Sequence, residues 1–124
     1  MGRPAFEQLK VYQLAEQLAD ETWRAVQNWR TLAKNTVGAQ MIRAADGIGA
    51  NIAEGTGRTT YKDNRRFAGM ARGSLYETIH WLRRAHVRGL LKPDQTKGLE
   101  DLVSNLGPCL NGYLRSIGKQ GEHQ

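Results

Sequence analysis

The stretch that most limits what this chain can fold into is Gln40 to Gly55, QMIRAADGIGANIAEG, a helical run without an ordinary polar face. At 3.6 residues per turn, Met41, Ile42, Ala45, Ile48, Gly49 and Ile52 fall on one side as a core stripe. The opposite side reads Arg43, Gly47, Ala50 and Glu54, flanked by Ala44 and Ala53, so it consists of small residues with a charge near each end. Glycine in a helix interior costs roughly 1 kcal/mol against alanine, and a solvated position gains nothing in return. Close approach of a second backbone would account for Gly47 and Gly49. The stretch predicts a central helix packed on two sides, by its own bundle and by a further surface.

The flanking sequence supplies the rest of a bundle. Val11, Leu14, Ala15, Leu18, Thr22, Ala25 and Trp29 recur at three- and four-residue steps and predict a first helix over 6–30. Tyr12, Ala19 and Trp23 form a second stripe on it, either partly covered at the bundle's edge or buried between subunits. Residues 30–36 read as a connection, with Asn35 or Thr36 capping a central helix over 36–56. Gly55 or Gly57 suits the left-handed position that closes that helix. Thr60 and Asp63 open a third helix over 60–88 with a capping-box pattern, and Phe67, Ala71, Ser74, Leu75, Thr78, Leu82 and Ala85 form its core stripe. Gly89 stops it. Pro93 and Asp94 start a fourth helix over 93–117 on Leu99, Leu102, Val103, Leu106, Leu110, Leu114 and Ile117, with a kink near Gly107 expected from Pro108. Residues 118–124 read as a disordered tail. Short connections make neighbouring helices antiparallel, so the expected fold is one all-α domain, an up-down-up-down four-helix bundle.

At 124 residues the chain holds one domain with an adequate core. Its single cysteine, Cys109, excludes an internal disulfide and a multi-cysteine zinc site and fits a reducing compartment. The start MGRPAF has no apolar leader segment, and no apolar run approaches the roughly 20 residues of a membrane span, so a cytoplasmic protein without a membrane partner is expected.

Charge is informative once it is located. From Arg58 to Arg88 the basic residues are Arg58, Lys62, Arg65, Arg66, Arg72, Arg83, Arg84 and Arg88 against Asp63 and Glu77, which leaves the whole +6 of the chain on that segment. Localised positive charge points to anionic partners, although a solubilising charged face would carry it too. Arg65, Arg72, Tyr76 and Arg83 share a narrow arc opposite the third helix's core, with Ile79, His80 and Val87 beside them. Such an arc can meet a nucleic-acid backbone or the acidic residues of another protomer.

Other chemistry finds little footing. GIG and GTGRTT lack the strand, helix and lysine context of a phosphate-binding loop. His80 and His86 lie six apart on different faces, His123 is in the tail, and Asp46, Glu54 and Glu77 lack the Glu-x-x-His partners of a di-iron bundle. Cys109 has no base or cation near it in sequence. No catalytic residue, metal or cofactor is expected.

The order KVYQLA at 10–15, QMIRAADGIGANIAEG at 40–55, FAGMARGSLYE at 67–77 and a leucine-periodic last helix resembles the bacterial four-helix-bundle proteins first noticed as open reading frames inside 23S rRNA intervening sequences. The resemblance covers residues 6–117 and implies a ring-like homo-oligomer, typically a pentamer, with no enzymatic activity established for the group. It extends distantly to the accessory variability proteins of retroelements, pentameric barrels that bind nucleic acid. Arg43, Asn51, Glu54, Ser74 and Glu77 match its recurring polar positions, read as a hydrogen-bonded network between helices or protomers.

The sequence thus leads to a non-catalytic assembly protein that binds RNA or DNA through its third helix, using Arg58, Lys62, Arg65, Arg72 and Arg83. Tyr12, Trp23, Arg43, Gly47, Ala50 and Glu54 are the expected oligomer contacts. The alternative is an interaction module whose basic surface docks an acidic protein.

Overall fold

The computed structural model describes residues 5–122, and among them every regular element is helical. A 3-10 turn, Ala5–Gln8, leads into α1 (Lys10–Val26); a short turn Thr31–Ala33 and a π-helical turn Lys34–Gly38 lead into α2 (Ala39–Thr56); α3 is Tyr61–Val87 and α4 is Pro93–Glu122. Contacts run α1 to α2, α2 to α3, α3 to α4 and α4 back to α1, so the helices stand at the corners of a square.

Close approaches fix the chain directions. Gly38 meets Val26 while Gly49 meets Tyr12 and Ala15, which makes α1 and α2 antiparallel; Gly47 meets Ser74 while Gly55 meets Asn64 and Phe67, which does the same for α2 and α3. Arg65 approaches Gly118 at one end of α3, and Leu82 and His86 face Glu100 and Val103 at the other, so α4 runs back along α3.

Most of the expected core positions are buried, while Leu14, Ile42, Ser74, Leu102, Val103 and Leu114 are only half-buried. Val11, Ala15 and Leu18 of α1, Met41, Ile48 and Ile52 of α2, Ala71, Leu75 and Leu82 of α3, and Leu99, Leu106 and Leu110 of α4 are buried in one cluster. Thr22 and Thr78 are also fully buried, and each satisfies its hydroxyl by donating to the carbonyl four residues back, Leu18 and Ser74, at 2.8 Å.

Several expected boundaries are corrected. The first helix stops at Val26, not Arg30. The Trp29 amide folds back onto the Val26 carbonyl at 3.0 Å, and its half-buried ring still packs on the core, so the apolar period continues through a turn. Residues 31–38 are helical, and neither Asn35 nor Thr36 is a cap; Arg30 is the extended residue before the first turn, and Thr36 donates its hydroxyl to Leu32 O at 2.7 Å. Gly55 lies inside α2, and Gly57 ends it with a right-handed φ of −83°. The left-handed residue among those described is Gly89, at φ 71°. There the Leu90 amide reaches Ala85 O and the Gly89 amide reaches His86 O, both at 3.0 Å, closing α3 with paired capping bonds. Thr60 caps α3 as expected, accepting from the Asp63 amide at 3.1 Å. α4 continues through Pro108 and on to Glu122, so the segment from Gly118 to Glu122 is helix and not a tail; residues 123–124 lie outside the described residues.

Gly47 and Gly49 also receive a different explanation. A Cβ on Gly47 would lie 3.1 Å from Ser74 Oγ, and one on Gly49 3.3 Å from the Tyr12 ring. Both glycines serve close packing within the chain, and Ala44, assigned to the outer flank, is buried. The side of α2 left to solvent is Arg43, Asp46, Ala50 and Glu54.

Candidate functional site

The basic segment divides into two groups of cations with different surroundings. At the start of α3, just after the Thr60 cap, the Asp63 carboxylate lies between two arginines. Arg66 pairs with it at 3.0 Å, and Arg58 approaches it at 3.9 Å while pairing with Glu54 at 2.7 Å. Both guanidinium groups also stack over the Phe67 ring, at 4.5 and 4.6 Å from its centroid. Arg58 and Arg66 therefore clamp the end of α2 to the start of α3, and their charge is largely answered within the chain.

Lys62, Arg65, Arg72, Arg83, Arg84 and Arg88 have no carboxylate partner among the described residues. Arg65, Arg72 and Arg83 are exposed on one arc of α3, displaced toward α4. Tyr76 interrupts that arc, 61% exposed, and Val87 follows it, 70% exposed. Arg83 also forms the rim of a cleft of about 410 Å³ between α3 and α4, floored by Ile79, Leu82 and Val103, with Glu100 on the far side.

Of the residues expected at an oligomer contact, Arg43, Ala50 and Glu54 share the solvent side of α2. Gly47 faces Ser74, Arg43 is exposed, and Glu54 is engaged by Arg58. Trp23 is 53% exposed on α1. Tyr12 and Ala50 do come together, across a groove of about 330 Å³ between α1 and α2 whose floor is Ala19, Ala45, Gly49 and Ala53. The Tyr12 ring meets Phe6 edge-on at 4.9 Å.

That groove is acidic, a feature the sequence reading missed. Glu16, Asp20 and Asp46 line it. Partial withdrawal from water, reinforced by the charge of Asp20, holds the Asp46 carboxyl above the ordinary aspartate range. Burial first, then Glu16, Glu7 and Asp20, pushes the Tyr12 hydroxyl up. The i, i+4 pair Glu16 and Asp20 beside the Tyr12 stripe was the available signal. Because α1 and α2 share one edge of the square and α3 and α4 the opposite edge, the acidic groove and the arc of Arg65, Arg72 and Arg83 lie on opposite sides of the molecule.

The recurring polar positions are partly joined. Asn51 donates to Ser74 Oγ at 3.4 Å between α2 and α3, and Glu77 accepts from Trp81 Nε1 at 3.4 Å within α3. Among the described residues no set of three or more His, Cys, Asp and Glu side chains is arranged to hold a metal ion, and no helix is long and apolar enough to cross a membrane.

The model of a family described as 23S rRNA-intervening sequence protein matches residues 7–112. A crystal structure from Bacteroides thetaiotaomicron, described as a protein with unknown function from the S23 ribosomal protein family, superposes with a TM-score of 0.74 at 17% identity, over 84% of this chain and 97% of that one. At that identity the likeness shows the fold. No curated protein matches the chain.

Proposed function

Since the chain belongs to the 23S rRNA-intervening sequence protein family, we propose that it is a non-catalytic, self-associating helical bundle that binds RNA or DNA through the outward arc of α3. The observation that carries this reading is the separation of the cations. Arg58 and Arg66 are consumed by Glu54, Asp63 and Phe67, whereas Lys62, Arg65, Arg72 and Arg83 stand on the same segment without a carboxylate. Unpaired arginines on one face repel one another, and a polyanion relieves that repulsion while releasing its own counterions.

Self-association belongs to the same reading. The groove between α1 and α2 has a floor of alanine and glycine with Tyr12 on its wall, a shape that admits close packing by a second copy. A cyclic homo-oligomer follows if that contact joins unlike faces, and the protein works in the cytoplasm.

A second reading is favoured by the acidic groove itself. Glu16, Asp20 and Asp46 of another copy, or the carboxylates of an acidic partner protein, are the kind of surface that the arginine arc of α3 would meet. One experiment separates the two. Arg65, Arg72 and Arg83 are changed together to Glu, and mass by sedimentation is measured alongside nucleic-acid affinity over a salt series. Under the first reading the assembly survives, affinity falls for every sequence tested, and the log-log salt slope flattens. Under the second the assembly dissociates first. An assembled triple variant with unchanged affinity and slope would remove α3 from the functional account.

A further inference from the structure

Tyr76 is the one ring on the cationic arc, and it is unengaged. It has no hydrogen bond or ring contact among the described residues, whereas His80, one turn on, rests edge-on against Trp81 at 4.7 Å. Arg72 precedes it by one helical turn and Arg83 follows it by two, so along the helix the order is cation, exposed ring, cation. Between Tyr76 and Val87 the surface forms an open hollow of about 560 Å³, lined also by Ile79, His80, Arg83 and Arg84.

A surface that contacts only the phosphates of a duplex has no use for this ring or hollow, because paired bases present their edges and not their faces. A single strand offers unstacked bases, and aromatic rings alternating with cations are how proteins hold one. Building on the nucleic-acid reading above, we propose that an unpaired base stacks on Tyr76 in this hollow, flanked by the guanidinium of Arg83, and that the protein therefore prefers single-stranded over duplex nucleic acid. Arg65 and Arg72 then hold phosphates on one side of that base, and Arg83 and Arg84 on the other.

The test uses the full chain with fluorescein-labelled oligouridylate and oligothymidylate and with RNA and DNA duplexes of equal length, followed by anisotropy at matched salt. At least one single strand binds roughly tenfold or more tightly than either duplex, the size of one stacked base. Tyr76→Ala abolishes that preference while leaving the salt slope unchanged, and Tyr76→Phe retains it. Tyr76 is exposed, so neither variant disturbs the core, and unchanged circular dichroism verifies this. Equal binding of single strand and duplex by the wild type, or a preference that survives Tyr76→Ala, overturns this proposal and leaves the nucleic-acid reading standing. Failure to bind any of the four probes overturns both.

Discussion

Gly55 lies so close beneath Asn64 that a Cβ on the glycine would stand 2.6 Å from Asn64 Oδ1 and 3.0 Å from Phe67 Cβ. The contact joins the last turn of α2 to the first turns of α3, where Arg58 and Arg66 already stack on Phe67. Alanine is normally the better helix former, but here its methyl group forces the two helices apart. Gly55→Ala is expected to destabilise the fold by about 1–3 kcal/mol, the usual cost of overpacking. Urea denaturation that shows equal or greater stability would contradict the close approach.

Gly69 supplies the opposite case on the same helix pair. Nothing lies within 4 Å of the position its Cβ would take, so within the chain it weakens α3 and provides no contact. Gly69→Ala should stabilise the isolated protomer by roughly 0.5–1 kcal/mol. Chemical denaturation under dissociating, dilute conditions reads that gain. A loss of stability there would mean that the backbone at Gly69 is not free to accept a side chain.

These two glycines show what was legible in the sequence and what was not. Period was enough for four helices and most of their core, because Val11, Met41, Leu75 and Leu106 each sit on an unbroken stripe that has to be buried somewhere, while capping placed only the ends of α3, at Thr60 and Gly89. The purpose of a glycine was not legible. Gly47 looks outward on a helical wheel drawn around Ile48, yet it faces Ser74, because α2 is covered by α3 as well as by α1. The end of α1 was hidden for a similar reason, since Trp29 keeps the apolar rhythm across a turn that the rhythm alone cannot detect. Arg58 and Arg72 are equivalent in a charge count, and only the placement of Glu54, Asp63 and Phe67 separates a structural cation from an available one.

The acidic groove predicts a pH response. Its carboxyl Asp46 is held above the ordinary aspartate value by partial burial and by Asp20, so the folded protein takes up that proton more readily than the unfolded chain. For a raised acid the sign is clear: the group favours folding below the ordinary aspartate value, and that advantage disappears as pH rises through the folded value. Asp46→Asn should therefore raise the thermal midpoint at neutral pH, and the difference from wild type should shrink as pH falls toward the ordinary aspartate range, about 3.9. Melting curves recorded across that interval decide it. A difference independent of pH would show that Asp46 carries no strained charge.

The division between the two sets of arginines predicts a contrast that total charge cannot produce. Arg58→Gln and Arg72→Gln each remove one positive charge from the same segment. Arg58, however, pairs with Glu54 at 2.7 Å and covers Phe67, whereas Arg72 has no partner among the described residues. Loss of the Arg58 contacts should lower stability by up to about 1–2 kcal/mol, the combined size of an exposed ion pair and a cation–π contact, with little change in the salt slope of nucleic-acid binding. Removing Arg72 should leave stability within about 0.5 kcal/mol and flatten the log-log slope, by about 0.7 for a single-strand phosphate or about 0.9 for a duplex one. The slope thus counts the phosphate contacts of each arginine separately from its contribution to the fold. Equal flattening by the two substitutions would mean that the protein responds to net charge alone, and that the unpaired arc of α3 is not where the polyanion lies.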